Sequence, residues 1–284
     1  MLSDVEDAVA ALSNEFGERY VLVGKLGGGY QTGAYQLLRS DGYRAVLKLW
    51  HAPRPLDHAQ QTARLVELAR LAGWRTPAWL HTGTTSTGHP YEVQEFVVGE
   101  HRAQLDGDTL DRLLELNAKQ ADLHPATTQD WSAYAWDVVF NDRDGMLTDL
   151  AACSPEGRHL ADAMLGACAS ALDLSLPTSD LVSGVFSLEN ILFDEAGNPV
   201  VIDVEAIGKG TRAFDLAVLY SRPEVYAHDS GLDRRLRAAA DAVAGPEVFS
   251  VCLAAEIIGI AYFSLRYWPA DVPALCQHRR LLFV

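Results

Sequence analysis

The spacing of apolar residues changes at Gly99, and that change constrains the fold more than any other feature of the chain. Before Gly99, short runs rich in Val, Leu and Tyr are punctuated by glycine-bearing turns. After it, apolar residues recur mainly at helical intervals. Strands segregated from helices in this way make an α+β chain rather than an alternating one. With 284 residues, 49% of them apolar, there is material for two cores, a first lobe over 1–98 and a second over 99–284.

Within the first lobe, Ser3 and Glu6 form a capping-box pattern ahead of Val5, Ala8, Leu12 and Phe16, so a helix is predicted over 4–15. Three strands follow at 20–26, 34–38 and 44–50, with Asp41-Gly42 as the tight turn of an antiparallel meander. A second helix is predicted over 56–71, ended by Gly73, and a further strand over 91–98. In the second lobe the pattern predicts helices over 110–123 and 158–172, a loop-rich stretch over 174–185, and a hairpin around Ala196-Gly197-Asn198. Mostly helix is predicted from 213 onward.

Charge narrows the partners. Asp and Glu outnumber Lys and Arg by 38 to 23, a net charge of −15, which excludes nucleic acid as the expected ligand. A cationic small molecule or a basic peptide suits the balance, and Asp108, Asp111, Glu115 and Asp137 are expected to line a groove for it. The four cysteines are too scattered for a disulfide framework or a zinc site. No membrane is expected either: the apolar run from Val248 to Leu265 contains Glu256 and reads as a core helix. The acidic N-terminus lacks the pattern of a secretory signal, so a cytoplasmic location is expected.

Chemistry first shows in the loop Gly27-Gly28-Gly29-Tyr30-Gln31-Thr32-Gly33, whose glycines would let backbone N–H groups approach a phosphate. A plain hairpin turn accounts for it equally well. It is neither a Walker A loop nor a dinucleotide fingerprint, since Ala34 and Tyr35 follow Gly33 and the next element is a strand. Lys48, within the apolar run Ala45 to Leu49, adds weight to the phosphate reading. A lysine in a strand after a glycine hairpin is the protein-kinase arrangement, the alternative being an edge lysine that reaches water.

The most specific segment runs Ser183-Gly184-Val185-Phe186-Ser187-Leu188-Glu189-Asn190, continues through an apolar strand, and returns as Val201-Ile202-Asp203-Val204-Glu205. Oxygens of Asn190 and Asp203 can converge on one hard cation. Here the chain resembles the aminoglycoside phosphotransferase and choline kinase family over roughly residues 18 to 265, most specifically from Ser183 to Leu219. The resemblance implies a bilobal protein-kinase-like fold, with a small antiparallel sheet in one lobe and a mainly helical second lobe. It further implies ATP or GTP with Mg²⁺ as cofactors. Gly28, Gly29, Gly33 and Lys48 would hold the nucleotide phosphates, and backbone groups at Glu95 and Val97 its base. Asn190 and Asp203 would be the metal ligands, with Glu205 in support.

Two positions depart from the family pattern His-Gly-Asp-x-x-x-x-Asn. Ser183 stands for the histidine and Val185 for the catalytic aspartate, and valine can neither take a proton nor orient a hydroxyl. The glutamate that pairs with the strand lysine in such folds is also missing from its expected place near Gln60, Gln61 or Arg64, leaving Glu67 as the nearest substitute. The expectation is therefore a degenerate kinase that binds nucleotide and a peptide or protein partner. The alternative is an active phosphotransferase onto a hydroxyl of a small molecule or of peptide Ser or Thr, a chemistry the family also supplies to natural-product biosynthesis.

Overall fold

The computed structural model describes residues 2–27, 33–50, 56–222 and 230–283. They divide into two compact units, one of 1–100 with 192–205, the other of 101–191 with 206–284. The sequence reading counted 192–205 with the second lobe. By packing they join the first, where Arg75 holds them: Val201 N donates to its carbonyl, and its guanidinium pairs with Asp194 at 2.7 Å.

The first unit is built on a five-stranded antiparallel sheet in the order β1-β2-β3-β5-β4. Its strands are β1 (Tyr20–Lys25), β2 (Gly33–Arg39), β3 (Arg44–Leu49), β4 (Trp79–Thr84) and β5 (Pro90–Glu95). Helix α1 (Leu2–Phe16) lays Val5, Ala8 and Leu12 against Leu37, Ala45, Leu47, Leu49, Tyr91 and Val93 to form the core. Because side chains alternate along a strand, the residues between these point to the opposite face: Lys48 on β3, Glu92 and Gln94 on β5. Helix α2 (Leu56–Leu71) packs along β4. Gly42, at φ +88°, makes the β2–β3 turn that the Asp41-Gly42 pair predicts. Strand β4 is an element that periodicity missed, since Trp79-Leu80-His81-Thr82-Gly83-Thr84 has no apolar alternation.

In the second unit, α9 (Pro246–Tyr267) is long and apolar enough to cross a membrane, yet it is the central packing element. It contacts α4 (Trp131–Phe140), α5 (Met146–Cys153), α6 (Pro155–Cys168), α7 (Ala213–Tyr220), α8 (Ser230–Ala244) and α10 (Val272–Arg280). Helix α3 (Gly107–Ala118) starts earlier and ends earlier than predicted. Asp106 caps its N-terminus through Thr109 N, and left-handed Asp122 and His124 turn the chain away beyond its end. Helix α6 likewise starts three residues before its predicted position, at Ser154-Pro155, a cap followed by a proline suited to the first turn. Strand β6 (Asp180–Val182) lies in the stretch predicted as loop and pairs with β9 (Gly208–Gly210). Back in the first unit, the predicted hairpin is present as β7 (Ile191–Phe193) and β8 (Pro199–Val201), and Asp194 ties its turn by accepting from Ala196 N and Asn198 N. All four cysteines are free thiols, Cys153 exposed and the others buried.

Candidate active site

The first unit gathers one lysine and three carboxyl groups on the sheet face turned away from α1. Lys48 Nζ donates to Asp203 Oδ1 at 2.6 Å and to Glu205 Oε1. Both acids lie on the chain just after β8, so the hairpin that the sequence singles out delivers them to the strand lysine. Asp203 sits in the left-handed region at φ +68°, a strained backbone of the kind retained at functional sites. Its side chain remains 48% exposed while that of Lys48 is 9% exposed, so a carboxylate on this cluster still faces solvent.

The third carboxyl, Glu92, is one the sequence reading missed. It stands opposite Lys48 in the β3–β5 register and is fully buried, accepting from Gln94 Nε2 at 2.6 Å and Trp50 Nε1 at 3.3 Å. Burial, reinforced by Glu205 and opposed by Lys48, holds the Glu92 carboxyl well above the ordinary range. Glu205 is also raised, by burial first. Asp203 is lowered because Lys48 outweighs its own desolvation. For Lys48, burial disfavours the ammonium, and Glu205 and then Asp203 more than offset it. A cavity of about 10 Å³, room for one water, lies beside Glu92 and Glu205 and is also lined by His58, Thr62 and Trp79. The buried Trp79 Nε1 finds no acceptor among the described residues, which suits a water there.

Helix α2 therefore contributes His58, Ala59 and Thr62 beside Glu92 and Glu205, and no acid. Glu67, expected as the lysine's partner, lies on the exposed side of α2, and Lys48 pairs with Asp203 and Glu205 instead. Gly28 and Gly29 fall outside the described residues; Gly33 opens β2 opposite Leu49. The Glu95 N–H donates to Ala78 O, and its carboxylate accepts from Ala78 N and Arg70. That N–H is thus occupied within the sheet, and Val97 lies just beyond the end of β5.

The second unit holds the loop from Ser183 to Asn190. Fully buried Asp215, on α7, accepts from Ser183 N at 2.9 Å, Gly184 N at 2.8 Å and Gln120 Nε2 at 2.6 Å. It anchors this loop from α7. Gly184 is at φ +74°, and a Cβ there would collide with the indole of Trp131, so no other residue fits. Asn190 Nδ2 donates to Val185 O at 3.0 Å, which turns Oδ1 into the ligand-competent atom. Val185 itself is half-buried and brings no polar group. Of the four acids expected to line a groove, Asp108 pairs with Arg112 and Asp111 with Arg235, Glu115 is exposed on α3, and Asp137 lines a separate pocket on α4.

Residues 23–242 match the model of a phosphotransferase enzyme family, the one known for aminoglycoside phosphotransferases. The chain belongs to that family. Solved members share its fold at low identity. A thermostable mutant of aminoglycoside phosphotransferase APH(4)-Ia, in ternary complex with AMP-PNP and hygromycin B, superposes with a TM-score of 0.70 at 17% identity over 98% of this chain and 97% of that one. ADP-bound APH(2'')-Ib gives 0.60 at 16% identity over 99% of each chain. The aminoglycoside phosphotransferase from Alicyclobacillus acidocaldarius gives 0.59 at 16% identity, covering 92% and 90%. Comparison with curated proteins found no match.

Against that phosphotransferase frame, Glu92 is the functional-site residue that sequence reasoning had no means to single out. Tyr91-Glu92-Val93-Gln94-Glu95 reads as an ordinary alternating strand with a polar face. Only the pairing with β3 places that face against Lys48. Among the described residues no group of three His, Cys, Asp or Glu side chains is arranged to hold a metal. Asp203 in the first unit offers an exposed carboxylate oxygen, and Asn190 in the second offers an amide Oδ1, each an oxygen of the type a hard cation takes.

Proposed function

We propose that this member of the phosphotransferase family is a nucleotide-binding protein whose catalytic loop has lost its base. The observation that carries the reading is the Ser183–Asn190 loop: its Asp215 anchor, its Gly184 turn and its Asn190 are retained, while Val185 stands where the family has aspartate. Lys48 supplies a buried ammonium for phosphate oxygens, and the family resemblance assigns Mg²⁺ to Asp203 and Asn190, whose side-chain oxygens suit a hard cation. Bound there, the ion would neutralise charge on the phosphates. Glu205 accepts from the ammonium in place of a helix glutamate. Without a group to orient or deprotonate an acceptor hydroxyl, turnover falls by about 10²–10⁴-fold.

The solved relatives carry ADP or AMP-PNP, which supports ATP over GTP as the first nucleotide to test. The test is calorimetric titration of the full chain with ATP and GTP, each with and without Mg²⁺, followed by a screen for transfer of labelled γ-phosphate. Magnesium-dependent binding weakened by Asp203→Asn, with slow or no transfer, is the expected result. Absence of binding by either nucleotide overturns the first half of the proposal. Turnover at ordinary kinase rates of roughly 1–100 s⁻¹ overturns the second.

A further inference from the structure

Beside the catalytic loop, the second unit contains a pocket of about 470 Å³ whose polar lining has the opposite sign to the protein as a whole. Its wall on one side is Ser187-Leu188-Glu189, the turn immediately before Asn190, and the rest includes His101, Arg102 and Arg222. The volume is that of a small-molecule site. Two guanidinium groups and an imidazole face a single carboxylate. That carboxylate, Glu189, has a side chain 76% exposed and meets Arg222 Nη1 only at 3.4 and 3.5 Å.

Arg222 is incompletely satisfied. Its Nε is buried and finds no acceptor among the described residues, although its neighbour Glu256 contributes attraction from a distance. A guanidinium presents a planar fork that matches a carboxylate or phosphate through two parallel hydrogen bonds, and a buried N–H left without one is costly. Arg102 Nη1 is held by Thr109 Oγ1 of α3, which sets its head group at the pocket wall. Seating a cationic ligand here would place like charges together, whereas an anion would meet two guanidinium groups against one carboxylate.

We infer that this pocket binds a small molecule bearing a carboxylate or phosphate, and that Arg222, supported by Arg102, recognises that group. The inference deepens the proposed function, because the pocket borders the loop read as catalytic. It makes the ligand anionic, in contrast to the aminoglycoside hygromycin B held by one of the solved relatives.

The experiment is calorimetric titration of the full chain with glycerol 3-phosphate, glycerate and hygromycin B. Heat from at least one anionic probe and none from hygromycin B is expected, and the two anionic probes separate a phosphate from a carboxylate preference. Arg222→Ala should weaken the anionic probe tenfold or more. Arg222→Lys, which keeps the charge and loses the fork, should restore only part of it. Should Arg222→Ala fail to fold, Arg102→Ala and Arg222→Lys carry the same comparison. No heat from either anion, an affinity unchanged in all of these variants, or tighter binding of hygromycin B overturns the inference. ATP with Mg²⁺ is titrated into the same preparations: anion binding without nucleotide binding sinks the kinase reading and leaves this pocket standing, and the reverse sinks the pocket alone.

Discussion

Lys48 and Glu92 face each other across β3 and β5, and burial raises the Glu92 carboxyl well above its usual range. Burial favours its protonated form, in which it serves as a hydrogen-bonding group. Glu92→Gln, a neutral residue of the same shape, is expected to change stability by less than about 1 kcal/mol at pH 7. Glu92→Ala strands the Gln94 and Trp50 donors and opens a cavity, for a loss of about 2–4 kcal/mol. Urea unfolding of both variants checks this, and equal losses would show that the charge of Glu92 is needed.

Asp215, itself fully buried, accepts from two backbone N–H groups and one side chain. Asp215→Ala leaves three donors without their acceptor and is expected to cost about 2–4 kcal/mol, since each stranded donor costs about 1–3 kcal/mol and Gly184 N is only partly buried. Native-state hydrogen exchange at Ser183 and Gly184 reports the loop directly. Protection that survives the substitution would contradict the anchoring role.

Val185→Asp restores a carboxylate at the one position where the loop lacks it. Because Val185 is half-buried and Gly184 still makes the turn, the new side chain can be accommodated without rebuilding the loop. Phosphate release from ATP is expected to rise at least tenfold over the unaltered protein, toward the about 10²–10⁴-fold that a general base supplies. A variant that binds nucleotide normally and gains nothing would mean that the missing base is not what limits the reaction.

Stability should depend on pH through Glu256 on α9. Burial pushes its carboxyl up to about 7, only partly opposed by Arg222 and Arg279. A carboxyl raised in the folded state favours folding at low pH, and that contribution is fully present below the unfolded value near 4.3. It is lost as pH rises through about 7, so the unfolding free energy should fall by about 1–3 kcal/mol over that window. Denaturation at a series of pH values should show the slope in the unaltered protein, and Glu256→Gln should flatten it.

How far the sequence reaches is clearest from individual elements. The residues of α2 and the hairpin around Asp194 were legible because periodicity and turn chemistry are local properties. Helix α4 was not predicted: Trp131-Ser132-Ala133-Tyr134-Ala135-Trp136 is apolar on nearly every side, so it carries no amphipathic stripe, although the Asp130 cap was there to be read. Lys48, Asp203 and Glu205 were each legible as candidates through the spacing of known motifs.

Sequence alone determined the segregated α+β order, the glycine-then-lysine strand pair and the substitution of Val185, since each is a matter of residue type and spacing along the chain. The tertiary structure alone decided what Lys48 touches. Sheet register brought Glu92 opposite it, and the packing of residues 192–205 on the first unit delivered Asp203 and Glu205, while Glu67 stayed on the outer side of α2. It also decided that Asp215 anchors Ser183 and Gly184 and that Arg222 shares a pocket with Arg102, groups 32, 31 and 120 residues apart. Partners so distant in the chain leave no periodic trace, because their approach is set by how elements pack and not by the residues beside them.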